Sequence, residues 1–94
     1  MLSNIEKEEL TEENLLNCIN TQLTEYGYRN IGMNNVIYNT GIDSLDLMVL
    51  TLILGEKFKE IDTQVLDKLN MTKCKVIDLY NKAKEQKWII QYEE

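Results

Sequence analysis

No proline occurs anywhere in this chain of 94 residues, and glycine occurs only four times. Without proline, a helix can be stopped only by glycine, by capping side chains or by a break in its apolar pattern. Helices can therefore run uninterrupted between a few punctuation points. With one Phe and one Trp, the core has to be built largely from Leu, Ile, Val and Met. Ninety-four residues leave no room for a second core. The expectation is a single all-α domain.

Residues 1–10 read as an acidic N-terminal lead-in. Ser3 and Glu6 could form a capping box for a short turn, but the segment is expected to fray. Thr11 is the expected N-cap of a first helix, followed by Glu12 and Glu13, where negative charge favours the helix start. Leu15, Leu16, Ile19 and Leu23 recur at helical spacing and define its buried stripe. Gly27, after Tyr26, supplies a C-terminal cap. From Tyr28 to Ile42 the pattern breaks into a long connection, pegged to the core by Ile31, Val36, Ile37 and Ile42, with Tyr26, Tyr28 and Tyr38 as structural lids. Loops of this length in small domains are usually packed or functional. A second helix is expected from Ser44 to about Phe58, with Ile61 reaching back to the core. A short third helix should start at Asp62 or Thr63 and run through Leu69. Thr72 is the N-cap candidate of a last helix, Lys73 to about Gln86, with Val76, Ile77, Tyr80 and Ala83 inward. This is the layout of a small antiparallel four-helix bundle, three main helices and one short, with a long first loop.

The net charge of −6 argues against nucleic acid, whose phosphates reward a basic face. No apolar run is long enough to cross a bilayer, and the acidic start reads as no signal peptide. The chain is thus expected to be cytoplasmic and to have no membrane partner. Cys18 and Cys74, assigned to separate helices, lack metal-ligand spacing and read as reduced core or boundary residues. No histidine is present, which removes the commonest general base and metal ligand. A metal site and an independent enzyme are both unexpected.

One stretch carries chemistry: Gly41-Ile42-Asp43-Ser44-Leu45-Asp46-Leu47. Asp43 is a good N-cap, and Asp46 three residues on gives a capping-box-like acidic partner. Because Asp43 can cap, the Ser44 hydroxyl is spare. It would point outward at the positive end of the helix dipole, where a phosphate diester is favoured. Asp-Ser at a helix start can equally be simple capping.

The segment resembles the attachment motif of acyl carrier proteins, in which the serine of Asp-Ser-Leu carries a phosphopantetheine arm. The likeness extends from about Thr11 to Lys84, through the helix spacing around Ser44, Phe58 at the end of the second helix and the run Val76-Ile77-Asp78-Leu79-Tyr80. It implies a carrier-like helical domain over residues 11–86, with 87–94 as an apolar extension. It also implies 4′-phosphopantetheine on Ser44, positioned by Asp43. Expected partners are a phosphopantetheinyl transferase, acyl- or aminoacyl-loading enzymes and condensing enzymes, all meeting a monomeric, non-catalytic chain.

Residues set about 100° apart along the second helix give a second clue. Leu47, Leu50, Thr51, Leu54 and Phe58 fall in one sector and should face the core. Leu45, Met48, Val49 and Leu52 fall on nearly the opposite sector, beside Ser44. An apolar second face in so short a chain reads as a partner surface, and Met and Leu suit one that repacks against several enzymes. Relative to bacterial fatty-acid carriers, Asp43, Asp46 and Glu56 remain acidic. Val49 and Gly55, however, stand where acids are usual, and Thr40 replaces the apolar residue often found before the glycine. Docking through Leu45, Asp46, Met48, Val49, Leu52 and Glu56 should accordingly rest more on apolar burial than on charge. The expected role is a discrete carrier in a specialised polyketide or nonribosomal peptide pathway. A housekeeping fatty-acid carrier is the alternative within the class. Outside it stands an unmodified helical adaptor that binds through the Leu45–Leu52 stripe. The tail Trp88, Ile89, Ile90 and Tyr92 is too apolar to be casual and should pack back onto the domain.

Overall fold

A computed structural model describes residues 8–62, 66 and 69–93, with backbone alone from residue 86 onward. These residues are helical, with no strand beyond one isolated antiparallel bridge between Val36 and Lys75. Among the described residues the helices are α1 (Glu12–Tyr26), α2 (Ser44–Lys57) and α3 (Val76–Glu93), with a 3₁₀ turn at Ile37–Thr40. None of the described helices is long and apolar enough to cross a membrane.

Local chemistry explains α1. Thr11 is extended (φ −124°, ψ 163°), and its Oγ1 accepts the Asn14 N–H at 3.0 Å. At the other end Gly27 adopts φ +89°, a conformation that costs a residue with a Cβ. The Tyr28 N–H reaches the Leu23 carbonyl at 2.8 Å and the Gly27 N–H reaches Thr24 at 3.1 Å, which is a Schellman closure. Leu15, Cys18, Ile19 and Leu23 are buried; Leu16 is only half-buried, its place in the stripe shared with Cys18.

The long connection is held by a side chain that imitates backbone. Asn20, on α1, accepts the Ile31 N–H at 2.9 Å and donates to the Ile31 carbonyl at 3.0 Å. Ile37 and Ile42 are the buried pegs; Ile31 and Val36 are half-buried. Tyr26 and Tyr28 pack against the core as partial covers, whereas Tyr38 is exposed.

The pairing of α1 and α2 is fixed at both ends. Near the start of α1, Glu8 donates its N–H to the Lys57 carbonyl at 2.9 Å, and its carboxylate meets Lys57 Nζ at 3.1 Å. Beyond the end of α1, Tyr28 bonds to Asp46 in the first turn of α2 at 3.0 Å. The two helices therefore run antiparallel. The expectation of fraying across residues 1–10 does not hold for its described part: Leu10 is fully buried and Glu8 is bonded. The ion pair is exposed and contributes at most about 1 kcal/mol; burial of Leu10 is the larger anchor.

Two expectations for the last helix are corrected. It starts at Val76, not Lys73, and Thr72 does not cap it. Thr72 instead donates its hydroxyl to Asn70 Oδ1 at 2.6 Å. The loop supplies the cap: the Val76 and Ile77 N–H groups donate to the Asn35 and Met33 carbonyls at 3.1 and 2.9 Å. Asp78 Oδ2 accepts the Lys75 N–H at 3.0 Å, one half of a capping box. Cys74 consequently precedes α3 instead of lying within a helix. The inward stripe is Val76, Leu79 and Ala83, with Ile77 and Tyr80 half-buried. The backbone continues as helix through Glu93, beyond the expected end near Gln86. The side chains of Trp88, Ile89, Ile90 and Tyr92, and most of the expected short helix near Thr63–Leu69, lie outside the described residues. Ile61 is fully buried, as expected.

Candidate functional site

The site is built on the start of α2. The 3₁₀ turn ends at Gly41 with φ +91°, which turns the chain sharply before the helix. Thr40, half-buried, stabilises that turn: its hydroxyl donates to the Ile37 carbonyl at 2.8 Å and accepts the Ile42 N–H at 3.3 Å. An apolar residue at this position could make neither bond. Ile42 then plugs into the core and Asp43 emerges as the N-cap of α2, with its Oδ1 accepting the Asp46 N–H at 2.9 Å.

Ser44 is the first residue of α2 and is exposed. None of the side-chain hydrogen bonds among the described residues uses its hydroxyl. It therefore sits at the positive end of the helix, free for a partner and close to backbone N–H groups that favour an added phosphate.

A hydroxyl from outside the motif completes the cap. Tyr28 donates to Asp46 Oδ2 at 3.0 Å and accepts the Asp43 N–H at 3.4 Å. In a capping box the Glu or Gln at the third helical position usually reaches the N-cap N–H directly. Asp46 instead turns to the tyrosine hydroxyl, which bridges it to the Asp43 N–H. The bond to the Asp46 carboxylate also raises the phenol pKa of Tyr28 above its ordinary value. Sequence reasoning placed Tyr28 only as a lid. The partner lies 18 residues away, beyond any local pattern.

The remaining candidates divide by face. Leu45, Met48, Val49 and Leu52 are exposed by 71, 57, 43 and 62%. Glu56, also exposed, continues the same row one turn further on, about 16 Å from Leu45 along the axis. Leu47, Leu50, Leu54 and Phe58 are buried opposite. Thr51, expected to face the core, is half-buried, and its hydroxyl donates to the Met48 carbonyl at 2.7 Å. Leaving a large apolar side chain in water forgoes about 1.5–3 kcal/mol relative to burial. Four in one row form a patch of the kind that marks an interaction surface. Asp46 stands to one side of the row, half-buried. Gly55 has a steric reason: a Cβ there would lie 3.3 Å from the Ile61 carbonyl oxygen, so a larger side chain would press on the turn that follows α2.

Surface clefts among the described residues lie elsewhere. One, of about 290 Å³, includes Glu8, Cys18 and Lys57; another, of about 230 Å³, includes Arg29, Asn39 and Thr40. Burial raises the thiol pKa of both Cys18 and Cys74, which disfavours the nucleophilic thiolate. Among the described residues no group of three or more His, Cys, Asp or Glu side chains is placed to hold a metal. Comparison with protein-family models, curated proteins and solved structures gives no match.

Proposed function

We propose that this chain is a discrete acyl carrier protein, a non-catalytic domain of acyl-carrier-like four-helix architecture that carries 4′-phosphopantetheine on Ser44. The observation that carries the reading is an exposed serine hydroxyl at the first position of a helix whose cap is already provided by Asp43. In the modification a new phosphoester bond forms at Ser44 Oγ and the phosphoanhydride bond of coenzyme A breaks. The nucleotide bisphosphate leaves, and the hydroxyl proton passes to a base of the transferase. The chain supplies position and no base.

Once attached, the terminal thiol of the arm holds an acyl, aminoacyl or related intermediate as a thioester. Tethering raises its effective concentration at each successive enzyme without tight docking. The exposed row Leu45, Met48, Val49 and Leu52, flanked by Asp46 and Glu56, is the docking face. Its apolar character favours a specialised polyketide or nonribosomal peptide assembly over a housekeeping fatty-acid system, and makes docking less sensitive to salt than a charged face would be.

The test is incubation with coenzyme A, a divalent metal and a broad-specificity phosphopantetheinyl transferase, followed by intact mass measurement. Addition of one phosphopantetheine to the wild type and none to Ser44→Ala is the expected result. An unchanged wild-type mass rejects the carrier reading and leaves an adaptor that works through the same row, whose complexes are indifferent to Ser44→Ala.

A further inference from the structure

We propose that Tyr28 is a positioning residue for the modification of Ser44: its hydroxyl, inserted between the Asp43 N–H and the Asp46 carboxylate, closes the cap of α2 and presents the serine in one backbone conformation. The inference rests on the carrier reading above and adds to it a residue outside the attachment motif.

The first turn of a helix is its weakest part, because its leading N–H groups have no intrahelical partner. Ser44 lies in that turn, so its hydroxyl is only as well placed as the cap beside it. Three side chains and two backbone groups form a closed ring around it. The Asp46 N–H donates to Asp43 Oδ1, the Asp43 N–H to Tyr28 Oη, and the Tyr28 hydroxyl to Asp46 Oδ2, at 2.9, 3.4 and 3.0 Å. Ser44 takes no part in the ring, so the ring orders its backbone while leaving its oxygen unengaged. Tyr28 is itself fixed, because it directly follows the Gly27 closure of α1 and its own N–H is bonded to Leu23 at 2.8 Å. The end of one helix thus sets the start of the next. A transferase that docks on α2 meets a reacting atom whose position has already been selected, and a misplacement of an ångström at such an atom can cost a large factor in rate.

Removing the hydroxyl with Tyr28→Phe keeps the ring against the core but opens the cap. The Asp46 carboxylate, turned to the phenol in the wild type, makes no bond to the Asp43 N–H. A Glu at the same position is one methylene longer and reaches the Asp43 N–H in the ordinary capping-box way. The variant Tyr28→Phe is expected to raise the KM for modification about fivefold, the factor of a lost cap, with kcat unchanged, because only the fraction of competent sites falls. The double variant Tyr28→Phe/Asp46→Glu should return KM to within about twofold of wild type. Rescue separates positioning from a direct contact of the phenol with the transferase, which Glu could not restore. Amide hydrogen exchange at Asp43 in the unmodified chain should lose protection in the single variant and regain it in the double, with no transferase present. An unaltered KM in Tyr28→Phe overturns the proposal, as does a raised KM that Asp46→Glu fails to restore. If wild type is not modified at all, the carrier reading falls and this role falls with it, even where the exchange pattern follows the cap.

Discussion

The two faces of α2 are made of nearly the same residues and meet opposite fates. Leu47, Leu50, Leu54 and Phe58 are buried against α1 and the rest of the core, while Leu45, Met48, Val49 and Leu52 remain in water. Side-chain hydrophobicity does not distinguish the sets. What distinguishes them is the rotational setting of the helix, fixed outside it: by Gly41 and Ile42 at the entrance, by Tyr28 in the first turn and by Glu8 and Phe58 at the exit. An apolar row left exposed by such a firmly anchored helix is not the residue of loose packing, and it is the docking face proposed above.

The largest effect that would test this contrast is Leu50→Ala. It should lower unfolding free energy by about 2–5 kcal/mol in chemical denaturation, a loss that a domain of this size can barely carry. Next is Gly41→Ala, which tests whether the entrance turn sets the helix. A Cβ there meets nothing within 4 Å, so the expected loss of about 1–2 kcal/mol is purely conformational. Leu52→Ala should change stability by no more than about 0.5 kcal/mol while weakening productive docking. A loss as large as that of Leu50→Ala would mean the outer row is covered, and the contrast would disappear.

The smallest effect is a pH dependence set by groups away from the outer row. Burial raises the pKa of Cys18 and Cys74 above 9.0 in the folded chain. Since the folded value exceeds the unfolded one, their contribution is fully present below pH 9.0 and is lost as pH rises through the folded values. Tyr28 follows the same sign above its ordinary 10.0. Urea midpoints taken from neutral pH upward should hold steady and then fall, and Cys18→Ala should flatten part of the decline.

Much of this was legible where the cause is local. Thr11, Gly27 and Asp43 cap as their types and spacing imply, and the two faces of α2 follow from one angular period. The failures share a different cause. Thr72 looked like a cap for the last helix, but the Met33 and Asn35 carbonyls, some forty residues earlier in the chain, do that work. Leu10 looked like a frayed lead-in because its burial depends on the assembled core, not on its sequence neighbours. Tyr28 looked like a cover because its bond to Asp46 joins two helix ends that only the folded chain brings together. Asn20 lies off the buried stripe of α1, and its clamp on the loop through Ile31 reaches eleven residues along the chain. Short-range periodicity carries no information about any of these.

The capping of α3 by loop carbonyls ties its start to a distant segment. A helix nucleus is costly to form, and the leading donors of α3 find these acceptors only after the chain has closed back from Val76 to Asn35 and from Ile77 to Met33. The start of α3 is therefore only as secure as the loop that supplies its acceptors: whatever loosens Met33 or Asn35 uncaps a helix some forty residues away.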